Sequence, residues 1–149
     1  MKRHKVGIVD SEIADSVTIV EPVNIYGTKL HPHVFVGPFV EIQKNTEIGE
    51  STKIQSHSFI CELVTIGKDC FVGHGVMFIN DTFSSGGPAR GDKSKWKSTK
   101  ISDHVYLGSN STIMPVSICS HVVIGAGSVV TKDITESGTY VGNPARRIK

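Results

Sequence analysis

A six-residue rhythm constrains this chain more than any other feature. Leu30, Val36, Ile42, Ile48, Ile54, Ile60, Ile66, Val72 and Phe78 follow one another at intervals of six without a slip. The register runs back through Ile25, Ile19 and Ile13, and it resumes at Ile101, Leu107, Ile113, Ile118, Ile124 and Val130. Two steps, Ile25 to Leu30 and Ile113 to Ile118, are five residues. An α-helix repeats at about 3.6 residues and a strand face at about 2, so neither alone accounts for the spacing. A sustained short period marks a stacked, solenoid-like architecture.

The positions between anchors show how the chain winds. Four residues after most anchors stands a small or β-branched residue, as at Val34, Val40, Thr46, Thr52, Ser58, Val64, Cys70, Val76, Ser111 and Ser128. In extended backbone that residue shares the inward face with the next anchor two positions on, and the residues beside the anchor point outward. The remaining two positions must turn. They carry pairs such as Lys44-Asn45, Glu50-Ser51, Lys68-Asp69, His74-Gly75 and Ser109-Asn110, whose second members tolerate left-handed backbone. Three short strands and three corners close a triangular coil, and stacked coils pair as parallel strands about 4.8 Å apart. The predicted fold is all-β: a parallel β-helix of about six coils, 18 anchors at three per coil, forming one domain over 1–149. The rhythm stops after Phe83 and returns at Ile101, and the intervening Gly, Pro, Ser and Lys residues predict a loop excursion over about 84–100.

Composition excludes several function classes. Charged residues are 20% and hydrophobic residues 38% of the 149, which fits a soluble domain, and no apolar run approaches the length of a membrane span. The start, MKRHKVGIVD, reaches Asp10 before any signal-peptide hydrophobic stretch, so a cytoplasmic location is expected. A net charge of +2 is too small for a nucleic-acid binder. Cys61, Cys70 and Cys119 lack paired spacing and are expected to be reduced thiols.

The hexads VGPFVE, IGESTK, IGKDCF and IGAGSV, with the ending TKDITESGTYVGNPARRI, resemble the hexapeptide-repeat acyltransferases over nearly the whole chain. The resemblance implies a left-handed sense for the β-helix, a homotrimer and acyl transfer in clefts between neighbouring prisms. Phe35, Phe59, Phe71, Met77, Phe83 and Tyr106 stand just before anchor positions and are expected to form an outward apolar strip that meets the other subunits. Acetyl-CoA is the implied co-substrate, with no metal. The segments VIGAGSVVTKDI and YVGNPARRI match those lining the coenzyme A groove. They assign Gly125, Ala126 and Gly127 to the pantetheine arm, Lys132, Arg146 and Arg147 to phosphates, and Asn143-Pro144 to a turn over the adenosine end.

At the root of the excursion stands Ile79-Asn80-Asp81, where many relatives carry a catalytic histidine. The Asn-Asp pair instead resembles the branch that acetylates nucleotide-linked amino sugars, most often a dTDP- or UDP-3-amino-3-deoxyhexose. A general base contributes about 10² to 10⁴ fold and so is not indispensable. Asn80 is expected to orient the acceptor amine, with Asp81 as its buttress. Both also suit an ordinary turn. His74 and His57, at corners of consecutive coils, are the alternative bases.

The rival acceptors are a sugar or serine hydroxyl and a 4-amino sugar. The chain shows no βαβ unit before the repeats and no helical segment after them, so base recognition would fall to the N-terminal coils. A γ-type carbonic anhydrase shares the fold but needs a His-x4-His arrangement, a spacing that none of the seven histidines makes. A non-catalytic β-helical scaffold is the remaining alternative.

Overall fold

The computed structural model describes residues 1–149 and contains three parallel sheets wound from one chain. Successive strands fall on a first, a second and a third face in turn. The first face has seven strands, from Ile8–Val9 to Val129–Val130, and the second has six, from Glu12–Ile13 to Ser117–Ile118. The third has eight, from Thr18–Ile19 to the terminal hairpin of Gly138–Val141 and Arg146–Arg147. The architecture is the parallel β-helix expected from the repeats, in about seven turns, consistent with the left-handed sense that the resemblance implied.

The added turn comes from residues outside the unbroken rhythm. Ile8 pairs in register with Ile25 and begins the first coil. At the other end Ile134 bridges Ile118, and Tyr140 lies in register with Ile124. Every anchor from Ile25 to Val130 is buried, and with the small interior residues they form one continuous core of 27 side chains. Burying an Ile or Leu side chain contributes roughly 1.5–3 kcal/mol, and this column is what closes the prism. Glu12 and Ile13 show the contrast at the N-terminal end, where the pair is exposed and half-buried.

The corners obey one rule. The residue three before an anchor has a positive φ, at Asn45 (56°), Ser51 (59°), Asp69 (53°), His104 (55°), Asn110 (59°) and His121 (61°), among others. Gly, Asn, Asp and His populate this region more readily than other residues, and most corners use one of them. Phe39 (61°) and Leu63 (72°) do not belong to that class.

The excursion starts earlier than the rhythm implied. The strand Met77–Phe78 ends directly into it, Phe83 lies within it at φ 54°, and the second face resumes at Thr99–Ile101. A short 3-10 turn, Lys93–Lys95, is its one regular element, with the Asp92 side chain accepting from the Ser94 N–H. It therefore replaces the corner between the first and second faces in the fifth coil.

Candidate active site

Each face displays two outward columns, one residue before and one after the anchor. On the first face Phe59 lies beside Met77, as the eighteen-residue spacing required. The apolar strip is two columns, not one. Phe71 and Tyr106 stack on the third face, where Phe35 pairs with Lys53, while Phe83 sits in the excursion. The second face displays Lys29, Glu47, Thr65, Lys100 and Ser117, with no apolar residue among them.

Asn80 and Asp81 stand where the first face ends. Asn80 Nδ2 donates to the Glu62 carbonyl at 3.1 Å, and the Asn80 carbonyl accepts from the Lys97 N–H at 2.9 Å. The side-chain Oδ1 of Asn80 carries no hydrogen bond within the chain. Both oxygens of Asp81 are engaged: one accepts from the Phe83 N–H at 3.0 Å, the other from the Ala89 N–H at 2.7 Å. Asp81 thus shapes the outgoing loop, and Asn80 holds both limbs of it while keeping a free acceptor.

The two histidines occupy a different corner. His57 (φ 65°) and Gly75 (φ 65°) mark the junction of the third and first faces, and His74 precedes Gly75. Both histidines are exposed, and the His57 ring packs on Phe39 at 5.0 Å between centroids. His74 and Asn80 are separated by six positions of largely extended chain, up to about 20 Å. Within one chain the structure does not bring them together.

A residue eighteen positions before Asn80 was missed by the sequence reading. Glu62 has only 7% of its surface exposed, and Lys93 from the excursion meets both its oxygens at 3.1 and 3.2 Å. Asn45 Nδ2 lies 3.5 Å from the same carboxylate, and the Gln43 side-chain oxygen accepts from the Glu62 N–H. The hydrogen bonds to Glu62 hold the Lys93 ammonium above the usual lysine range. Burial, with the Glu41 and Glu62 carboxylates behind it, raises Tyr26 in the same way. The eighteen-residue step was the available signal for Glu62, but Lys93 could be found only once the loop's path was known.

Three hollows follow one another away from Asn80. The first, about 450 Å³, is lined by Phe59, Phe78, Ile79, Asn80, Asp81, Thr82, Phe83, Thr112 and Met114. The second shares Thr82 and Met114 with it and adds Lys97, Pro115 and Thr131. The third, about 340 Å³, shares Thr131 and includes Lys132, Asp133, Tyr140, Ala145, Arg146 and Arg147. These neighbouring hollows, which share lining residues, run from the loop root toward the C-terminal basic residues.

Those residues are not equivalent. Arg147 is committed to Glu136 at 3.1 Å and to the Ser137 carbonyl at 3.0 Å, whereas Arg146 bonds only its neighbour's carbonyl and Lys132 is exposed. Asn143 and Pro144 are exposed in the turn of the terminal hairpin. Gly125 has a packing reason, since a Cβ there would meet Val141 Cγ1 at 2.6 Å. Gly127 (φ 69°) faces open space at a corner, with Ala126 exposed beside it. His31, the nearest thing to a ligand cluster in the sequence, instead meets Glu47 at 2.6 Å. No three His, Cys, Asp or Glu side chains converge on a metal-sized site.

Comparison with known proteins agrees with this architecture. Residues 99–132 match the hexapeptide repeat of succinyl-transferase. The bifunctional protein GlmU of Streptococcus uberis is 34% identical over 144 residues, 95% of this chain, but the chain spans only 29% of that protein. A hexapeptide-repeat acetyltransferase of Vibrio cholerae O1 biovar eltor, solved with acetyl coenzyme A, superimposes with a TM-score of 0.68 at 25% identity, covering 83% of this chain and 70% of that one. The perosamine N-acetyltransferase of Caulobacter crescentus, solved with CoA and GDP-perosamine, has a TM-score of 0.69 at 20% identity, covering 95% and 57%, and so shares the fold. No helix of the chain is long and apolar enough to cross a membrane.

Proposed function

We propose that this hexapeptide-repeat protein is an acetyl-CoA-dependent N-acetyltransferase whose acceptor is a nucleotide-linked amino sugar, with a dTDP- or UDP-3-amino-3-deoxyhexose as the best-fitting class. The carrying observation is the row of neighbouring hollows from Asn80 to Lys132 and Arg146. Its near end is mostly apolar, as a thioester and pantetheine arm require, and its far end holds free cations for phosphates. Arg is especially suited to bidentate pairing there. The acetyl donor of the Vibrio relative supports the same assignment.

The chemistry follows from the groups at the loop root. A neutral amine attacks the thioester carbonyl carbon, a C–N bond forms, the C–S bond breaks, and the departing thiolate takes the proton that the amine loses. Asn80, its Nδ2 pinned to the Glu62 carbonyl, offers Oδ1 to the incoming amine. Fixing amine and thioester in attack geometry contributes roughly 7–11 kcal/mol in favourable systems. Asp81, with both oxygens bonded to backbone, serves as the buttress of the loop.

The assembly in this reading is a homotrimer. Phe71 is 38% exposed, Met77 39% and Tyr106 47%, and these residues flank the corner that carries His57 and His74. Covering both apolar columns with a second and a third copy turns that corner toward a neighbour's groove. The alternative base, His74 or His57, would then come from a neighbouring copy and take the amine's proton in place of the thiolate.

The decisive experiment is a thiol-release screen with acetyl-CoA against dTDP- and UDP-linked 3- and 4-amino sugars and their hydroxyl counterparts. Turnover only with the amines supports N-acetylation, and turnover with hydroxyls alone overturns it. Asn80→Ala should lower kcat about 10² fold or more, the size of effect seen when one polar group at a reacting carbonyl is lost. An unchanged rate removes Asn80 from the site. Unchanged turnover in both His57→Ala and His74→Ala would remove both histidines.

A further inference from the structure

We propose that a small hollow on the second and third coils is the pocket for the pyrimidine base of the acceptor. The proposal rests on the reading above and locates the nucleotide end of the acceptor. The hollow, about 180 Å³, has apolar walls from Pro22, Val23, Phe39 and Val40 and one polar edge made by Asn24 and Glu41.

Phe39 is the unusual wall. It is an aromatic residue at a left-handed corner (φ 61°), 58% exposed, with its ring packed on His57. A bulky residue in that region is uncommon and conformationally costly, and such strain collects at functional sites. The other positive-φ corners between the third and first faces, at His57, Gly75, Asn110 and Gly127, carry no such apolar ring. An exposed, held aromatic ring is a stacking platform for a flat heterocycle.

The polar edge is preset. Asn24 Nδ2 donates to Glu41 Oε2 at 3.0 Å, and Gln43 Nε2 donates to Glu41 Oε1 at 3.0 Å. The carboxylate is therefore held in one orientation with lone pairs left over, beside the second N–H of the Asn24 amide. An acceptor next to a donor complements the N3–H and adjacent carbonyl of uracil or thymine. Cytosine meets the same edge with its N4 amino group and N3; adenine also presents an amino group beside a ring acceptor, but the hollow, about 180 Å³, is small for a purine.

The placement suits one extended ligand. Glu41 and Asn80 are two coils apart, at about 4.8 Å per strand, and three positions apart along the strand direction, at about 3.3 Å each, which gives about 14 Å. A diphosphate and a sugar ring span that gap. The carboxylate lying between, Glu62, is covered by Lys93 and so does not oppose the phosphates.

The test is calorimetric titration of the full chain with UDP, dTDP, CDP and ADP, separately from acetyl-CoA. UDP, dTDP and CDP should bind at least ten-fold tighter than ADP. Phe39→Asn, which relieves the corner while removing the ring, and Glu41→Gln should each weaken that binding roughly ten-fold, the effect of losing a stacking face or a charge-assisted hydrogen bond. Both should leave acetyl-CoA binding unchanged, as should Thr65→Ala on the second face. Equal binding of all four nucleotides, no binding of any, or unchanged UDP and dTDP affinity in both variants overturns the pocket. Acetyl transfer to amino sugars without nucleotide preference sinks the pocket alone. Failure to bind acetyl-CoA sinks the wider reading and leaves the nucleotide titration to stand by itself.

Discussion

The first and second faces are built on the same interior and differ only outside. Ile42, Ile60 and Phe78 line the core behind the first, Ile48, Ile66 and Ile101 behind the second, and all are fully or almost fully buried. Outward, the second face alternates charge down its ladder, Glu12, Lys29 and Glu47, with Lys29 Nζ 3.6 Å from Glu12. The first face shows Asn24 and Glu41 in its early coils and then Phe59 and Met77. The interior therefore specifies the fold on every face, while the outward columns separate a solvated wall from a working one. The candidate site lies on the same side, because the excursion leaves the prism at the edge of the first face.

The largest expected effects test what each half of that contrast does. Met77→Glu places a charge in the apolar column and should convert the proposed trimer to single chains in sedimentation, with activity falling by two orders of magnitude or more. Thr65→Glu, the matched change on the second face, should leave both sedimentation and turnover as they were. Equal behaviour of the two variants would erase the distinction between the faces. Phe78→Ala, behind the same column, should cost about 3–5 kcal/mol in denaturant unfolding, as expected for a fully buried ring whose removal leaves a cavity. Ile13→Ala, half-buried in the first coil, should cost clearly less.

The fold was legible because its physics is periodic. Interior anchors must recur wherever a corner brings the chain back, so Leu30 to Phe78 show a clean period, and corner residues such as Asn45, Asp69 and Asn110 announce their backbone conformation by type. The terminal coil was hidden by slips: Ile8 stands five residues before Ile13, and Ile134 only four after Val130. Of the site, Asn80 and Asp81 were visible as the place where the rhythm fails. The Glu62–Lys93 pair was not, because its partners lie 31 residues apart and meet only through the path of an irregular loop. Asn24, Glu41 and Phe39 were invisible for a related reason. Outward positions are free of the core's period, so nothing in the spacing distinguishes a binding edge from solvated surface.

A smaller effect tests the loop's attachment to the working face. Lys93 has its titration raised by Glu62, and Tyr26 is raised by burial beside the same carboxylates. A group whose titration is raised on folding contributes stability that is complete below its unfolded value and lost as pH climbs through the folded one. The unfolded references are 10.5 for Lys93 and 10.0 for Tyr26, so the corner should hold through neutral pH and loosen above pH 10. Limited proteolysis between Phe83 and Lys97 should accelerate there, and Lys93→Met should show the same acceleration already at pH 7. Cleavage independent of pH and unchanged in the variant would mean that the pair does not hold the loop.

The smallest effect concerns the thiols, and it separates the two kinds of position once more. Cys61 stands in an outward column of the first face, between Gln43 and Ile79, yet only 2% of its surface is exposed and burial pushes its thiol up to about 12. Cys70 points inward, with burial again the main cause of its raised titration and its Sγ 3.1 Å from the Ser102 carbonyl. Cys119 is half-buried on the second face, just past Ile118. Because the thiolate is the reactive form, alkylation of the native protein at pH 8 should modify Cys119 first and leave the other two largely intact until unfolding. Rapid modification of Cys61 would show that the first face opens there, and would contradict its burial.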